Sequence, residues 1–229
     1  MKFNVNGAIL NIEVDGPRAA PAILTWNGAM CTLRMWDPVV TRLRDRYRIV
    51  RIDTRGIGQS TATAVPEKEY TLEQYAEDAN RVLDDLGIDR CHVWSMAWGS
   101  RAALAYCSLY PARVLSAALF DANSGPADVP AQREGSRRAL ERQQAAGIDR
   151  FIAPAGWNVH ADPAAAQASI AAAGKFDLKG AVPRLTMPVL VATGDHDPNL
   201  EPSREIVSRA PNARLVVMTN VGHGSVIQR

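Results

Sequence analysis

The chain has 229 residues, 47% of them hydrophobic, and carries 26 lysines and arginines against 24 aspartates and glutamates, a net charge of +2. That length suits one domain with a sizeable core. The charge balance gives no footprint for nucleic acid or an anionic membrane surface, and no apolar run approaches the roughly 20 residues of a membrane helix.

The opening MKFNVNGAILNIEVDG alternates and carries acids, so it reads as strand and not as a signal peptide. Its Asn6-Gly7 pair between two alternating runs predicts a hairpin. AILTW (22–26) is a short apolar strand, LRMWDPVVTRLRDRY (33–47) has helical spacing, and RIVRID (48–53) is the next strand, ending in the Gly-rich turn TRGIGQS. TLEQYAEDANRVLDDLG (71–87) predicts an amphipathic helix with Thr71 as its cap and Gln74 completing a capping box. CHVWS (91–95) is a strand, SRAALAYCSLY (100–110) a helix stopped by Pro111, and VLSAALFD (114–121) a strand.

Alternating strand and helix predicts a mostly parallel sheet covered on both faces. The rhythm then breaks. Residues 128–175 are rich in Ala, Gln and Arg and offer no strand, so they read as a small helical cap inserted between two strands. MPVLVATGD (187–195), a helix over 201–209 and ARLVVMT (213–219) restore the alternation. The expected division is a core in two parts, 1–127 and 181–229, around a cap at 128–180. A closing helix is expected after NVGHG (220–224). GSVIQR supplies its first turn only, so the C-terminal helix is missing from the sequence and the chain reads as partial at that end. Cys31, Cys91 and Cys107, an odd number without metal-ligand spacing, read as reduced, buried thiols and a cytoplasmic address.

Three stretches carry chemistry. VWSMAWGS (93–100) runs from an apolar strand through a small-residue turn into an Ala-rich helix. Such a turn exposes one side chain at its tip, needs small neighbours, and aims the first helical N–H groups at whatever lies above. Ser95 and Gly99 flank the tip, yet the tip itself is Ala97. TGDHDPN (193–199) puts Asp195 and Asp197 at the C-terminal edge of a strand, where open α/β sheets place their sites; either could orient a histidine, or both could cap the following turn. His223 lies between glycines after the last strand, and the order elbow, acid, histidine singles it out from His92, His160 and His196. TRGIGQS lacks the lysine of a phosphate loop, so no nucleotide site is read there.

In LRMWDP (33–38), RIDTRGIGQS (51–60), SMAWG (95–99), TGDHDP (193–198) and GHGSV (222–226) the sequence resembles the α/β-hydrolase family, most of all small esterases and 3-oxoadipate enol-lactonases. The resemblance implies an α/β-hydrolase fold and Ser-His-Asp acyl transfer on a small carboxylic ester or lactone, without metal or organic cofactor. It implies Asp197 as the acid and His223 as the base, with Asp121 as a second possible acid. It implies the Trp98 N–H as one oxyanion donor, and Ala29 or, one residue on, Met30 as the other. Trp157, Phe151, Ile152 and Met30 are candidates to line an apolar acyl pocket, and Arg34 to meet a substrate carboxylate. Four readings of Ala97 stay open: a Ser→Ala change that disarms a hydrolase, a natural non-catalytic binder, chemistry that needs only the His–Asp pair, and a substitute nucleophile at Ser95 or Ser100. The oligomeric state is not legible.

Overall fold

The computed structural model describes residues 1–228. Eight strands form one sheet: β1 (Lys2–Val5), β2 (Ala8–Asp15), β3 (Ala22–Trp26), β4 (Arg48–Asp53), β5 (Cys91–Met96), β6 (Val114–Phe120), β7 (Val189–Gly194) and β8 (Ala213–Met218). Their spatial order is β1-β2-β4-β3-β5-β6-β7-β8. β1 and β2 pair antiparallel as the predicted hairpin, β2 pairs antiparallel with β4, and from β4 through β8 every pair is parallel. The central strands β3 and β4 are buried at every position, which is why AILTW reads as a continuous apolar run instead of an alternating one; RIVRID buries its Arg48, Arg51 and Asp53 as well.

Among the described residues eight α-helices accompany the strands: α1 (Asp37–Leu43), α2 (Pro66–Glu69), α3 (Leu72–Asp85), α4 (Trp98–Leu109), α5 (Val129–Ala145), α6 (Pro163–Ser169), α7 (Leu178–Ala181) and α8 (Leu200–Arg209). The helix expected over 33–47 is shorter. It begins as a 3-10 turn at Leu33–Trp36, where the Thr32 side chain accepts from the Arg34 N–H, and ends at Leu43. In α3 the Thr71 hydroxyl accepts from the Gln74 N–H at 3.1 Å, as predicted. The reciprocal half of the capping box is absent, because the Gln74 amide donates to Asp78 instead, at 3.1 Å. Asp78 is itself committed to the buried Arg55, whose guanidinium also meets Glu69. A second buried arginine, Arg51 in β4, is neutralised by Glu13, Asp15 and Asp37. Each of these charges is tolerable inside only because it is paired and hydrogen-bonded.

α4 sits against both α3 and the sheet. Ala102, Ala103 and Ala105 are buried, and their small side chains let the helix approach closely. α5 and α6 form the helical segment between β6 and β7, with no strand among them, and α7 packs back on α4. After β8, Ser225–Ile227 form one 3-10 turn; Arg229, the end of the expected GSVIQR turn, lies outside the described residues.

Candidate active site

β5 runs into α4 through a single residue. Ala97 has φ 55 and ψ −115, a backbone region costly for a side chain bearing Cβ. Its N–H donates to the Phe120 carbonyl of β6 at 2.8 Å, so sheet pairing holds the tip up to its last atom. The turn is as tight as its small residues permit. A Cβ on Gly99 would lie 2.5 Å from the Asn27 carbonyl oxygen and closer still to that of Trp26. A Cβ on Gly28 would meet the Met96 Cε at 2.6 Å. The loop after β3 is therefore pressed against the elbow. Among the described residues the N–H groups of Ala29, Met30 and Trp98 carry no hydrogen bond.

All four non-glycine residues with positive φ among the described residues, Met30, Ala97, Asp121 and Asn220, follow strands at this one edge of the sheet: β3, β5, β6 and β8. Backbone strain of this kind concentrates where structure over-determines conformation for a purpose.

The histidine and the acids meet at the same edge. His223 Nδ1 lies 3.2 Å from both carboxylate oxygens of Asp197, so Nδ1 carries the proton donated to it and Nε2 is left free. Asp197 is fully buried and fixed by two further donors, the Thr193 hydroxyl at 3.0 Å and the Asn199 N–H at 2.9 Å. Asp195, the other acid of the stretch, instead accepts from the Val221 N–H at 3.3 Å.

Asp121 does not take the Nδ1 position but holds the loop that carries the histidine. Its Oδ2 accepts from the N–H groups of Gly224 and Ser225 and from the Ser225 hydroxyl, at 3.1, 2.7 and 2.9 Å. One polar atom from each of Asp121, Asp197 and His223 lies within 4.8 Å of the other two. Burial and then the charge of Asp197 push the Asp121 carboxyl above the ordinary carboxylate range. For His223, burial opposes the imidazolium, but the hydrogen bond and charge of Asp197, with the charge of Asp121, outweigh it and raise the pKa above 6.5.

Ala97 is 8% exposed and packs with Cys31, Met35, Trp36 and Met96. Trp157, from the segment between α5 and α6, packs against this cluster, as do Val226 and Ile227 just beyond His223. The elbow, the histidine loop and the inserted segment thus converge on one apolar patch. Beside it lies a cavity of about 250 Å³ lined by Val39, Trp94, Phe120, Phe151 and Val226.

Three expectations need correction. Arg34 does not face this patch. Its guanidinium pairs with Glu13 and Asp37, so its charge is already neutralised beside β2. Ile152 is 87% exposed and lines nothing. Ser95 and Ser100 are buried at 0% and 1% exposure and bond to each other and to the carbonyls of Ala118 and Phe120, so neither offers a free hydroxyl. The sequence reading also passed over Thr193 and Asn199, which fix the acid, and the loop-holding contacts of Asp121. Only coordinates bring residues 121 and 225 together. The thiols are as expected: all three are buried and free, and burial pushes Cys31 and Cys91 up to about 12.

The family model for the alpha/beta hydrolase fold matches residues 21–148. Among curated proteins, the 3-oxoadipate enol-lactonase 1 of Acinetobacter baylyi is 36% identical over 104 residues, which cover 45% of this chain and 38% of that enzyme. The putative carbamate hydrolase RutD of Variovorax paradoxus is 29% identical over 210 residues, 82% of this chain and 78% of its own. The crystal structure of the enol-lactonase from Burkholderia xenovorans LB400 superposes with a TM-score of 0.78 at 27% identity, covering 97% of this chain and 92% of that one. Among the described residues no helix is long and apolar enough to cross a membrane.

Proposed function

This chain belongs to the α/β-hydrolase family, and on that premise we propose that its site is built for Ser-His-Asp acyl transfer on a small carboxylic ester or lactone, with alanine standing at the nucleophile position. The observation that carries the reading is the paired His223 and Asp197 at the same sheet edge as a strained elbow tip. A free Nε2 on a ring held from behind by a buried carboxylate is a general base in waiting.

With serine at residue 97, Nε2 takes the hydroxyl proton as Oγ attacks the carbonyl carbon. The carbonyl oxygen becomes an oxyanion, which the unengaged N–H groups of Trp98 and of Ala29 or Met30 stabilise. Collapse breaks the bond to the alcohol oxygen, which takes the proton from the imidazolium. Water, deprotonated by the same nitrogen, then releases the acid. In a lactone the leaving oxygen stays tethered to the acyl chain. The helical segment 128–180 acts as a cap, and Trp157, packed against the Ala97 cluster, supplies the apolar side of the substrate site, with Phe151 lining the neighbouring cavity. No step in this chemistry calls on a cofactor, and three reduced, buried thiols suit a cytoplasmic protein.

Alanine has no Oγ, so the chain as written binds such a substrate without forming an acyl-enzyme. The competing reading is a binder that never turns over, and Ala97 itself is what favours it. Ala97→Ser separates the two, assayed on short-chain aryl esters and simple lactones beside the unaltered chain. Restoring the nucleophile of such a triad raises kcat by about 10⁶. A folded Ala97→Ser protein with no turnover on any of these substrates refutes the hydrolase reading. Turnover by the unaltered chain that disappears on loss of His223 replaces it with histidine-based chemistry.

A further inference from the structure

Five hydrogen bonds fasten residues 156–161, between α5 and α6, to two loops at the site edge. Thr32 donates through its N–H to the Trp157 carbonyl at 2.7 Å and through its hydroxyl to that of Gly156 at 2.9 Å. The Ala161 N–H donates to the Gly58 carbonyl at 2.8 Å. His160 makes the other two. Its Nδ1 accepts from the Gly58 N–H at 3.0 Å, and its Nε2 lies 3.2 Å from the Met30 carbonyl oxygen.

These partners fix the proton on the ring. A backbone N–H can only donate and a carbonyl can only accept, so Nδ1 holds a lone pair and Nε2 holds the hydrogen. His160 is thereby the neutral Nε2–H tautomer, and both nitrogens are used.

The Met30 arm reaches the loop that abuts the elbow. Residues 28–31 form a turn closed by the Cys31 N–H on the Gly28 carbonyl at 3.0 Å. Its third residue, Met30, has φ 55. A positive φ there marks a type II turn, which normally takes glycine. In type I the central peptide, Ala29–Met30, is flipped, and its N–H points to the opposite side. That flip leaves the Met30–Cys31 peptide in place; this peptide is held at both ends, its N–H by Gly28 and its carbonyl by His160, which pins the far end of the turn beside the elbow.

We propose that His160 is a positioning residue that, through the Met30 carbonyl, anchors the 28–31 turn against the elbow, so that the turn's unengaged N–H groups stay beside residue 97. It does not touch the reacting atoms. The proposal deepens the hydrolase reading and rests on it only for the purpose of the turn, since the strap itself is independent of turnover.

Two substitutions separate the two arms. His160→Gln keeps an amide N–H for Met30 and loses the acceptor for Gly58. His160→Asn keeps an acceptor for Gly58 and loses the donor to Met30. In the Ala97→Ser protein, His160→Asn is expected to lower kcat by tenfold to about a hundredfold with KM little changed, the scale set by a misplaced oxyanion donor. His160→Gln is expected to restore most of kcat. In the unaltered chain, the backbone amide resonances of Ala29 and Met30 are expected to move in His160→Asn and to stay near their original positions in His160→Gln. Equal amide shifts in both variants, or none in either, overturn the proposal and leave His160 as an ordinary staple. The resonances need no turnover, so they decide the matter even if Ala97→Ser is inactive and the hydrolase reading has failed.

Discussion

Gly99→Ala tests whether the elbow is pressed onto the loop after β3. The added Cβ would lie 2.5 Å from the Asn27 carbonyl oxygen and nearer still to that of Trp26. Both obstacles are main chain at the end of a fully buried strand, so neither can swing aside as a flexible side chain would. The strand end or the helix must move by roughly half an ångström or more, and overpacking of this sort costs about 1–3 kcal/mol. With main chain on both sides the upper end applies. At about 2–4 °C per kcal/mol for a chain of this size, the thermal midpoint should fall by roughly 6–12 °C. Gly174→Ala is the control, because nothing lies within 4 Å of its Cβ. It should be neutral or stabilising by up to about 1 kcal/mol. Thermal unfolding followed by circular dichroism compares the two directly. In the Ala97→Ser background the same displacement should cost on the order of 10² in kcat. Equal midpoints for Gly99→Ala and Gly174→Ala would refute the close approach, and with it the juxtaposition of Trp98 with the 27–30 loop.

The imidazole of His223 should titrate above 6.5 in ring-proton NMR, since Asp197 and Asp121 outweigh burial; Asp197→Asn should lower that value more than Asp121→Asn, and the reverse order would make Asp121 the dominant partner. Because the folded pKa lies above the unfolded one, the imidazolium pairing adds stability that is fully present below pH 6.5 and is lost as pH rises through the folded value, so urea midpoints of the protein and of Asp197→Asn should converge from pH 5.5 to pH 9. Ala97→Gly should raise stability by roughly 0.5–2 kcal/mol, the relief of about 1–3 kcal/mol of strain less the entropy of a glycine, and a drop in the urea midpoint would place the tip in an unstrained state.

The strands were legible because their signals are local. AILTW and RIVRID have the lengths and the β-branched or aliphatic content of buried strands, and the structure reproduces both to the residue. Fold class followed from the order of such segments. The ends of elements were less legible where side chains choose between partners. Gln74 abandons its cap for Asp78 because Asp78 is fixed by the buried Arg55, a contact no window of sequence contains. Arg34 was misjudged for the same reason: its acids, Glu13 and Asp37, lie on β2 and α1, one of them 21 positions away. Elbow, acid and histidine could be picked out as neighbours because each follows a strand, and parallel strands deliver their C-terminal ends to one edge. What the pattern could not supply is the support behind them. Asp121 holds the histidine loop across 104 positions and His160 reaches Met30 across 130, through backbone atoms that carry no sequence signature.

The alanine at the tip is best understood through the strain around it. A residue with Cβ at φ 55 and ψ −115 is held there against its preference. The β5–β6 pairing through the Ala97 N–H, the Ser95–Ser100–Phe120 hydrogen bonds beneath it and the close seat of Gly99 together enforce the conformation. For packing alone this is a poor bargain, since glycine would occupy the same place without strain, and alanine contributes only one methyl to the apolar cluster. A serine there has a reason to be strained, because the tight bend is what lifts Oγ clear of the sheet toward a base. Removing that one oxygen from a serine elbow leaves the arrangement seen here: strain retained, acid and histidine still paired, and the N–H groups of Ala29, Met30 and Trp98 unengaged. A site shaped from the outset for binding without chemistry has no comparable need for the Asp197–His223 pair or for the strained tip, and this is what favours the proposed disarmed hydrolase over the binder.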